Sequence, residues 1–396
     1  MQIIIFGGSF NPPHIGHVEA AQVGLKQIRA DKMIVIPAAK APQKEQEADC
    51  PDASSRLIMT ELSFMELPLT EVSNIEILRG GVSYTIDTLR YLKECYPDDR
   101  LYLLMGADQF LSFESWKDFR TITEICTLMP FLRGGCDFQD LYDAASRLKS
   151  LCDAEVQIIK FVPTEISSTE LRQLLPQRKG SEYFVDSVYS EIIRHRWYSA
   201  SPELSWLRGK AYAYLEPNRV SHVRGCEHEA VKLAERWGAD VGLAAEAAIL
   251  HDISKSLKSD KQLNLCSQHG IMTDVDEKAN YKLLHSKTGA ALSRELFGIC
   301  DEVYSAIFWH TTAKEDMSLL EKIIYLADYI EPGRKFEGVE ELRYLAYKDL
   351  EKALVLGLKL GNEELLREGI NVHPNSQKAL NWLLENQKTQ DERKPG

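Results

Sequence analysis

The chain has 396 residues, of which 44% are hydrophobic and 27% charged, and its formal net charge is −12. This length exceeds what one hydrophobic core usually organises, so two domains of an ordinary globular composition are expected. The negative charge argues against a broad nucleic-acid surface, although a few local cations can still bind small phosphorylated ligands. No apolar run approaches the ~18 residues that a membrane-spanning helix needs.

The N-terminal stretch MQIIIFGG has neither the basic flank nor the cleavage site of a signal peptide, and it predicts a buried first strand. Eight cysteines are scattered along the chain without a CxxC pair. This distribution favours reduced thiols and a cytoplasmic protein. The sequence does not decide between a monomer and a homo-oligomer.

Before Trp197, short β-branched runs alternate with amphipathic helical segments. This alternation predicts a parallel sheet with right-handed crossovers, as in a Rossmann-like α/β domain. Such a sheet binds ligands beyond the carboxyl ends of its strands. The predicted strands are Ile3–Phe6, Met33–Pro37, Val72–Ile77, Leu101–Met105, Thr127–Leu132 and Val156–Phe161. The predicted helices between them include Val18–Arg29, Arg56–Met65, Thr85–Glu94 and Asp140–Leu148.

The strand pattern ends after Trp197, and helical patterns follow one another. Pro202 suits the first position of a helix, with Ser201 as its N-cap. We therefore expect an α/β domain over residues 1–198 and an all-α domain over residues 199–396. The predicted helices are Pro202–Leu215, Asn218–Trp237, Val241–Ile253, Lys278–Phe297, Asp301–His310, Leu319–Ile330, Glu340–Leu360 and Asn375–Asn386.

The first predicted strand runs directly into the string GGSFNPPHIGH, residues 7–17. Two glycines after a strand let backbone N–H groups approach an anion, and His17 begins the next helix, where free N–H groups favour phosphate. His14 lies three residues earlier, so two imidazoles can donate to phosphate oxygens. A metal site or a structural turn are the other interpretations. A metal site would want a third ligand of the HExxH kind on the same helix, which the string lacks.

The complete string resembles the signature of bacterial nicotinate-mononucleotide adenylyltransferases, members of the HxGH nucleotidyltransferase superfamily, and the resemblance extends to about Trp197. A second element, ISSTELR at residues 166–172, is similar to the superfamily's ISSTxxR. It opens a short helix, and Arg172 can neutralise a polyphosphate. One loop departs from the family pattern, because Gln43 stands where the PPHK-like loop usually has histidine, while Lys44 is retained.

The resemblance implies transfer of adenylate from ATP, carrying Mg²⁺, to nicotinate mononucleotide, which gives nicotinate adenine dinucleotide and pyrophosphate. Nicotinamide mononucleotide or phosphopantetheine are the alternative acceptors. Thr85 would hold the nicotinate end, Asp108 would bond ribose hydroxyls and Trp116 would stack on the ring. The implied catalytic residues are His14, His17, Lys44 and Arg172, and the other implied binding residues are Gly7, Gly8, Ser9, Phe10, Ser167, Ser168 and Thr169.

The second half contains an adjacent His-Asp pair within a spaced series of histidines and one further aspartate. The series is His222, His251, Asp252, His285, His310 and Asp328. Imidazole and carboxylate ligands suit iron, manganese, cobalt, nickel or zinc better than calcium. Adjacent residues do not share a helix face, so the pair can turn to one ion only where a helix ends. A lone HD pair is common by chance, but the ordered series resembles the HD superfamily of metal-dependent phosphohydrolases.

Within that superfamily the chain is most similar to YqeK-type symmetrical diadenosine-tetraphosphatases, on strings that include AILHD at 248–252 and LADYIEPGR at 326–334. The resemblance implies hydrolysis of diadenosine tetraphosphate to two ADP with iron, manganese or cobalt. The implied metal ligands are His222, His251, Asp252 and Asp328, with His285 and His310 holding a second metal or contacting substrate phosphate. Lys255, Arg334 and His373 are the other implied substrate contacts. The alternative is a regulatory module that senses a nucleotide without hydrolysing it.

Overall fold

A computed structural model describes residues 1–40, 50–133, 135–274, 277 and 283–392. The chain divides into two compact units, Met1–Ser201 and Pro202–Gly396. The sequence placed this boundary near Ser199. The backbone N–H of Ser201 donates to the carbonyl of Leu175 at 3.0 Å, which ties Ser201 to the first unit. The helix expected from Pro202 therefore begins at Leu204, with Glu203 rather than Ser201 at its N-cap.

The first unit is built on a five-stranded parallel sheet in the order β3-β2-β1-β4-β5. Its strands are β1 (Gln2–Gly8), β2 (Lys32–Pro37), β3 (Thr70–Val72), β4 (Arg100–Gly106) and β5 (Cys126–Phe131). The chain leaves β1 for β2 on one side and returns at β4 on the other. The carboxyl ends of β1 and β4 therefore form the topological switch point, where such sheets bind ligands. The predicted α/β class of this unit is confirmed.

Both faces of the sheet are buried, which is why its strands are continuous apolar runs. Ile3 and Ile5 pack into a core on one face together with β4 and the segment Ile86–Leu92. Ile4 and Phe6 point to the other face and pack with Ala20 and Ala21 of the first helix. The helices of this unit are α1 (Ile15–Gln27), α2 (Ala53–Phe64), α3 (Ile75–Arg79), α4 (Thr85–Cys95), α5 (Ala107–Leu111), α6 (Phe119–Ile125), α7 (Phe138–Cys152), α8 (Ser168–Leu174) and α9 (Asp186–His195).

The strand predicted over Val156–Phe161 is wrong, because this segment makes only isolated bridges to β5. Its backbone forms hydrogen bonds with Leu128. It accepts no hydrogen bond from Pro130, because proline has no N–H to donate. The missing donor interrupts the ladder, although Ile159 still donates to the Pro130 carbonyl at 2.9 Å. A regular sixth strand therefore does not form.

The strand predicted over Val72–Ile77 is also wrong beyond its first residue, because helix Ile75–Arg79 follows β3. The helical turn directs Glu76 inward, where its carboxylate accepts a hydrogen bond of 2.6 Å from the Thr88 hydroxyl. The sequence shows the apolar residues of this segment, but it does not show this buried polar pair.

In the described part of the second unit every regular element is a helix, so its predicted all-α class is confirmed. The helices are α10 (Leu204–Tyr212), α11 (Pro217–Trp237), α12 (Val241–Leu250), α13 (Ser259–Gln268), α14 (Leu284–Phe297), α15 (Asp301–Trp309), α16 (Leu319–Ile330), α17 (Val339–Lys348), α18 (Leu350–Arg367) and α19 (Pro374–Glu392). Helix α13 is not among the predicted helices. The start of the helix predicted from Lys278 lies outside the described residues.

The single helix predicted over Glu340–Leu360 is wrong, because the structure has two helices that meet at Asp349. Asp349 has an extended backbone, and its carboxylate accepts from the backbone N–H of Lys352 at 3.1 Å. An aspartate in this position caps the following helix and ends the preceding one.

All eight cysteines are free, in agreement with the reduced thiols expected from the sequence. Among the described helices, none combines the length and the apolar character that crossing a lipid bilayer would require.

Candidate active sites

A cavity of about 310 Å³ lies at the switch point of the first unit, beyond β1 and β4. Nine of the residues expected to bind substrate or act in catalysis line it: Gly7, Gly8, Ser9, Phe10, His17, Thr85, Asp108, Trp116 and Ser168. His14, Ser167, Thr169 and Arg172 are not part of this lining. Lys44, with its neighbour Gln43, lies outside the described residues. The structure thus gathers most of the expected set around one space.

The loop after β1 is held from the far end of the same unit. The Tyr198 hydroxyl donates to the Asn11 side-chain carbonyl at 2.7 Å, and Arg172 donates to the Asn11 backbone carbonyl at 3.0 Å. Ser168 donates to the carbonyl of Pro12 at 2.9 Å. The segment 166–172 is therefore docked on the glycine- and histidine-rich loop, and Arg172 contributes first to fixing that loop.

Ser167 caps helix α8 through a reciprocal arrangement with Glu170. The Ser167 hydroxyl accepts from the Glu170 backbone N–H at 3.1 Å, and the Ser167 backbone N–H donates to the Glu170 carboxylate at 2.8 Å. This capping box fixes the start of the helix and thereby the place of Ser168 in the cavity wall.

The two histidines of the loop have different environments. His14 is the N-cap of helix α1, and its backbone N–H donates to Nδ1 of His17 at 3.2 Å. A neutral His17 that accepts at Nδ1 carries its proton on Nε2, which makes Nε2 a hydrogen-bond donor. The two ring centroids are 3.8 Å apart, and His14 is buried with both ring nitrogens unpartnered among the described residues.

We expect acid to destabilise the wild-type protein more than a His14→Gln variant. Burial, assisted by the positive charge of Arg133, lowers the pKa of His14 from 6.5 to about 3. Between these values the unfolded chain binds a proton that the folded protein does not, so the free energy of unfolding falls as the pH falls below 6.5. The His14 contribution to this slope approaches about 1.4 kcal/mol per pH unit.

Urea unfolding of both proteins at a series of pH values between about 7 and 5 measures this difference. A His195→Gln variant is the matched control, because His195 is exposed. Parallel pH profiles for the wild type and His14→Gln would contradict a buried, neutral His14.

Asp108 lies against the end of β4 because Gly106 leaves room for it. A Cβ on Gly106 would lie 2.6 Å from Oδ1 of Asp108, so only glycine allows this approach. Trp116 packs its ring on Phe113, with ring centroids 5.4 Å apart. The acid and the aromatic ring thus reach the same cavity from the loop that follows β4.

Two arginines of this site were not identified from the sequence. Arg56 is buried and donates to the backbone carbonyls of Ser9 and Ala38, each at 2.7 Å, which joins the loops after β1 and β2. Arg133 lines the cavity just after β5. A charged residue directly after a buried strand was the available signal for Arg133. Nothing in the spacing around Arg56 distinguishes it from a surface arginine.

In the second unit, four histidines surround one buried aspartate. Helix α12 ends at Leu250, so His251 and Asp252 follow a helix terminus, as the sequence predicts. The Asp252 carboxylate is fully buried. The Nε2 atoms of the histidines lie within 4 Å of its oxygens: His285 at 3.1 Å, His251 at 3.4 Å, His222 at 3.6 Å and His310 at 3.8 Å.

Three of these rings are oriented through their other nitrogen. The Nδ1 atoms of His251 and His310 lie 2.7 Å from the carbonyls of Ala248 and Ile307, one helical turn earlier. His222 Nδ1 lies 3.1 Å from the Glu331 carboxylate. These contacts direct the Nε2 atoms inward, which is the usual orientation of metal-binding histidines. Glu331 was quoted in the sequence motif, but no role was assigned to it.

Asp328 completes this cluster, with its Oδ1 3.0 Å from Nε2 of His222. Groups of inward donors that could hold a metal include His222, His251 and Asp328, and also His251, Asp252 and His310. The Nε2 atom of His251, a residue that is only 1% exposed, lies 3.4 Å from the Asp252 carboxylate but makes no aligned hydrogen bond within the described residues. A buried imidazole nitrogen without an aligned hydrogen bond can instead bind a cation, and an HD domain implies a divalent metal.

The electrostatics of the cluster favour a cation. Burial opposes ionisation of Asp252, but His251, His285 and Lys255 hold the pKa of its carboxyl well below the usual range. Burial likewise opposes ionisation of Asp328, and His222 and Arg334 hold its pKa low. Burial and the neighbouring histidines lower the pKa of His310 well below its usual value. The centre therefore combines ionised carboxylates with a neutral imidazole.

Three basic residues border the carboxylates. Arg219, which the sequence did not single out, donates from Nε to Asp252 at 2.6 Å, and Lys255 lies 3.3 Å from Asp252. Arg334 donates to Asp328 at 2.6 Å. His373 is placed differently: its Nε2 pairs with Asp274 at 2.9 Å, and it is not part of the group around Asp252.

We expect Gly225→Ala to weaken metal binding without removing any metal donor. A Cβ on Gly225 would lie 2.6 Å from Oε2 of Glu331, so this carboxylate, whose Oε1 lies 3.1 Å from Nδ1 of His222, must shift. Loss of such an outer contact costs about 10- to 100-fold in metal affinity. Calorimetric titration of the metal-free full-length protein with Mn²⁺ measures the change.

Gly209→Ala is the matched control, because Gly209 lies within helix α10 and a Cβ there would meet nothing within 4 Å. This change should stabilise the protein by about 0.5–1 kcal/mol and leave metal affinity as it is. Equal Mn²⁺ affinities for Gly225→Ala and the wild type would show that Glu331 does not orient His222.

Comparison with known proteins divides the chain in the same way. Residues 5–174 match the Cytidylyltransferase-like family, and residues 219–333 match the HD domain family. The chain is 29% identical over 366 residues to a Mycoplasma genitalium protein named "Probable nicotinate-nucleotide adenylyltransferase/Ap4A hydrolase". That alignment covers 90% of this chain and 97% of the relative.

Each half also has separate relatives. Over 196 residues the chain is 34% identical to a "Probable nicotinate-nucleotide adenylyltransferase" from Opitutus terrae, covering 50% of this chain and 96% of the relative. Over 190 residues it is 41% identical to a "Bis(5'-nucleosyl)-tetraphosphatase, symmetrical" from Halalkalibacterium halodurans, covering 46% of this chain and 99% of the relative.

Proposed function

The chain belongs to the nicotinate-nucleotide adenylyltransferases with its first half and to the symmetrical bis(5′-nucleosyl)-tetraphosphatases with its second, and from this we propose a bifunctional enzyme. The first unit transfers adenylate from ATP to nicotinate mononucleotide, giving nicotinate adenine dinucleotide and pyrophosphate. The second hydrolyses diadenosine tetraphosphate to two ADP. We propose that the two activities divide between residues 1–198 and 199–396, limits that lie close to those of the two compact units.

The cavity at the switch point of the sheet supports the first activity, because it joins an anion-binding loop to an acid and an aromatic ring. The 5′-phosphate of the acceptor attacks the α-phosphate of ATP, and pyrophosphate leaves. A phosphate is already ionised near neutral pH, so catalysis needs positioning and charge stabilisation rather than a general base. We assign the charge stabilisation to His14, His17, Lys44 and Arg172, with Mg²⁺ carried by ATP.

The acceptor pocket gives each expected binding residue a role. Thr85 holds the nicotinate end, Asp108 accepts from ribose hydroxyls and Trp116 stacks on the pyridine ring. Gly7, Gly8, Ser9 and Phe10 contact phosphate through their backbone, and Ser167, Ser168 and Thr169 contribute from the second motif. The assignment is supported for the residues that line the cavity, which are all of these except Ser167 and Thr169.

Pyrophosphate release with a panel of acceptors tests this half. We expect nicotinate mononucleotide to give the highest kcat/KM, nicotinamide mononucleotide a lower value and phosphopantetheine no product. If either alternative acceptor gives a higher kcat/KM than nicotinate mononucleotide, the proposed acceptor is wrong, although the proposed adenylyl transfer still holds. If no pyrophosphate is released with any of the three acceptors, the proposal for the first unit is wrong.

The four histidines around Asp252 support the second activity. We propose His222, His251, Asp252 and Asp328 as ligands of iron, or of manganese or cobalt. When bound, such an ion supplies Lewis acidity for the transfer of a phosphoryl group to water. Lys255 and Arg334 neutralise substrate phosphates, while His285 and His310 bind a second ion or a phosphate. We propose His373, whose Nε2 pairs with Asp274, as a further nucleotide contact.

Incubation of the full-length protein with diadenosine tetraphosphate and either Fe²⁺ or Mn²⁺ tests this half. We expect ADP as the sole nucleotide product, and its formation should stop when a chelator is added. Binding of diadenosine tetraphosphate without release of ADP would favour the nucleotide-sensing alternative. We place the protein in the cytoplasm, in keeping with its eight free cysteines.

A further inference from the structure

We propose that Arg343 is a positioning residue of the second active site, which fixes the turn 330–334 and, through this turn, two side chains that contact the cluster around Asp252. This inference deepens the proposed metal-dependent hydrolysis and rests on it. Arg343 lies on helix α17, and its guanidinium reaches back to the turn that follows helix α16.

One guanidinium holds three backbone carbonyls of this turn. Nε of Arg343 donates to the carbonyl of Ile330 at 2.9 Å. Its Nη2 atom donates to the carbonyls of Glu331 at 2.9 Å and of Arg334 at 3.0 Å. The remaining Nη1 atom pairs with the Glu340 carboxylate. Because a guanidinium is planar and rigid, it fixes the three carbonyls relative to one another.

These contacts do more than complete the end of a helix. Helix α16 ends at Ile330, and the last carbonyls of a helix need partners from outside it. Ile330 and Glu331 are both buried, so their carbonyls would be unfavourable without such a partner. The carbonyl of Arg334 lies beyond the helix, however, at the far end of the turn. Arg343 therefore holds the turn itself in addition to the helix terminus.

Two side chains reach the metal cluster from this turn. Oε1 of Glu331 lies 3.1 Å from Nδ1 of His222, and Oε2 of Glu331 accepts from the backbone N–H of Gly333 at 2.6 Å. Arg334 donates from Nη2 to the Asp328 carboxylate at 2.6 Å and from Nε to the Asp328 carbonyl at 2.9 Å. A shift of the turn would therefore change the orientation of His222 and the place of the Arg334 cation together.

A positioning role has two consequences that a purely stabilising role lacks. Release of the turn weakens metal binding, because Glu331 no longer orients His222. It also raises the KM for diadenosine tetraphosphate, because Arg334 is the cation assigned to the substrate phosphates. An arginine that only stabilises the fold would, when replaced, lower the unfolding temperature and leave the metal affinity and the KM of the folded protein as they are.

Arg343→Gln in the full-length protein tests the inference, with thermal unfolding recorded to show that the variant is folded. Calorimetric titration of the metal-free protein with Mn²⁺ should give an affinity about tenfold lower than that of the wild type. With saturating Mn²⁺, the KM for diadenosine tetraphosphate should rise about tenfold while kcat changes less than about threefold, which is the pattern of lost substrate binding.

Arg236→Gln is the matched control, because Arg236 also donates to a backbone carbonyl of the second unit, that of Tyr347 at 3.0 Å. It should keep the Mn²⁺ affinity and the KM of the wild type.

If Arg343→Gln does not fold, Arg343→Lys keeps the charge, but an ammonium does not replace the planar fork, so both changes are expected there too. An unchanged Mn²⁺ affinity or an unchanged KM in the folded variant, or equal losses in Arg236→Gln, would overturn the inference alone. A wild type that binds no Mn²⁺ or releases no ADP would overturn the proposed hydrolysis itself.

Discussion

Asp252→Asn should reduce hydrolysis of diadenosine tetraphosphate by about 10³-fold, the upper end of the range for removing a group that stabilises charge in a transition state. The carboxylate is the common neighbour of four histidines and of Arg219, so its charge organises the whole cluster. Asparagine keeps the shape but removes the charge, which leaves basic groups without their partner. Metal content should fall together with turnover.

Asp260→Asn makes the same change at an exposed position of the second unit and serves as the control. Adenylyl transfer by the first unit should equal that of the wild type in both variants. The measurements are ADP release, bound metal and thermal unfolding of each full-length protein. If the folded Asp252→Asn protein releases ADP at the wild-type rate, Asp252 is not a ligand of the metal centre.

The second large effect is expected in the first unit, where His17→Ala should lower adenylyl transfer by about 10²- to 10³-fold. His17 lines the cavity, and because its Nδ1 accepts from the backbone N–H of His14, its neutral ring carries the donor proton on Nε2. Because this donor acts on charge that develops in the transition state, the loss should appear mainly in kcat.

His195→Ala is the corresponding control, since His195 is an exposed histidine of the same unit. Steady-state pyrophosphate release gives kcat and KM for the three proteins, and ADP release from diadenosine tetraphosphate should be the same in all of them. A His17→Ala enzyme with a normal kcat would exclude a role for His17 in the chemical step.

Patterns that are local in the chain could be predicted from the sequence. The continuous apolar runs of β1, β2, β4 and β5 reflect burial on both faces, and each was located by its run. Elements that depend on one interaction with a neighbour were predicted wrongly. The missing N–H of Pro130 breaks the sixth strand, and the cap at Asp349 divides a helix that looks continuous.

The same distinction applies to the sites. The sequence indicated the donors His222, His251, Asp252 and Asp328, and the structure brings them together. The ring of His251 is oriented locally, by a carbonyl three residues earlier. The sequence could not indicate that Glu331 orients His222 or that Arg219 pairs with Asp252, because these contacts join residues that are distant in the chain.

Glu331 reaches His222 across 109 positions, in the space that Gly225 leaves open, and Arg56 reaches Ser9 across 47. His373 illustrates the opposite case, in which a residue with a suitable side chain pairs elsewhere, with Asp274.

The claim that one chain carries two independent active sites is tested most directly by product analysis of the full-length protein in a single reaction. The mixture contains ATP, nicotinate mononucleotide, diadenosine tetraphosphate, Mg²⁺ and Mn²⁺, and the products are separated by chromatography. We expect nicotinate adenine dinucleotide with pyrophosphate, and ADP from the tetraphosphate. His17→Ala should suppress only the dinucleotide, and Asp252→Asn only the ADP. Loss of both products in either variant, or cleavage of the tetraphosphate to ATP and AMP, would contradict the account.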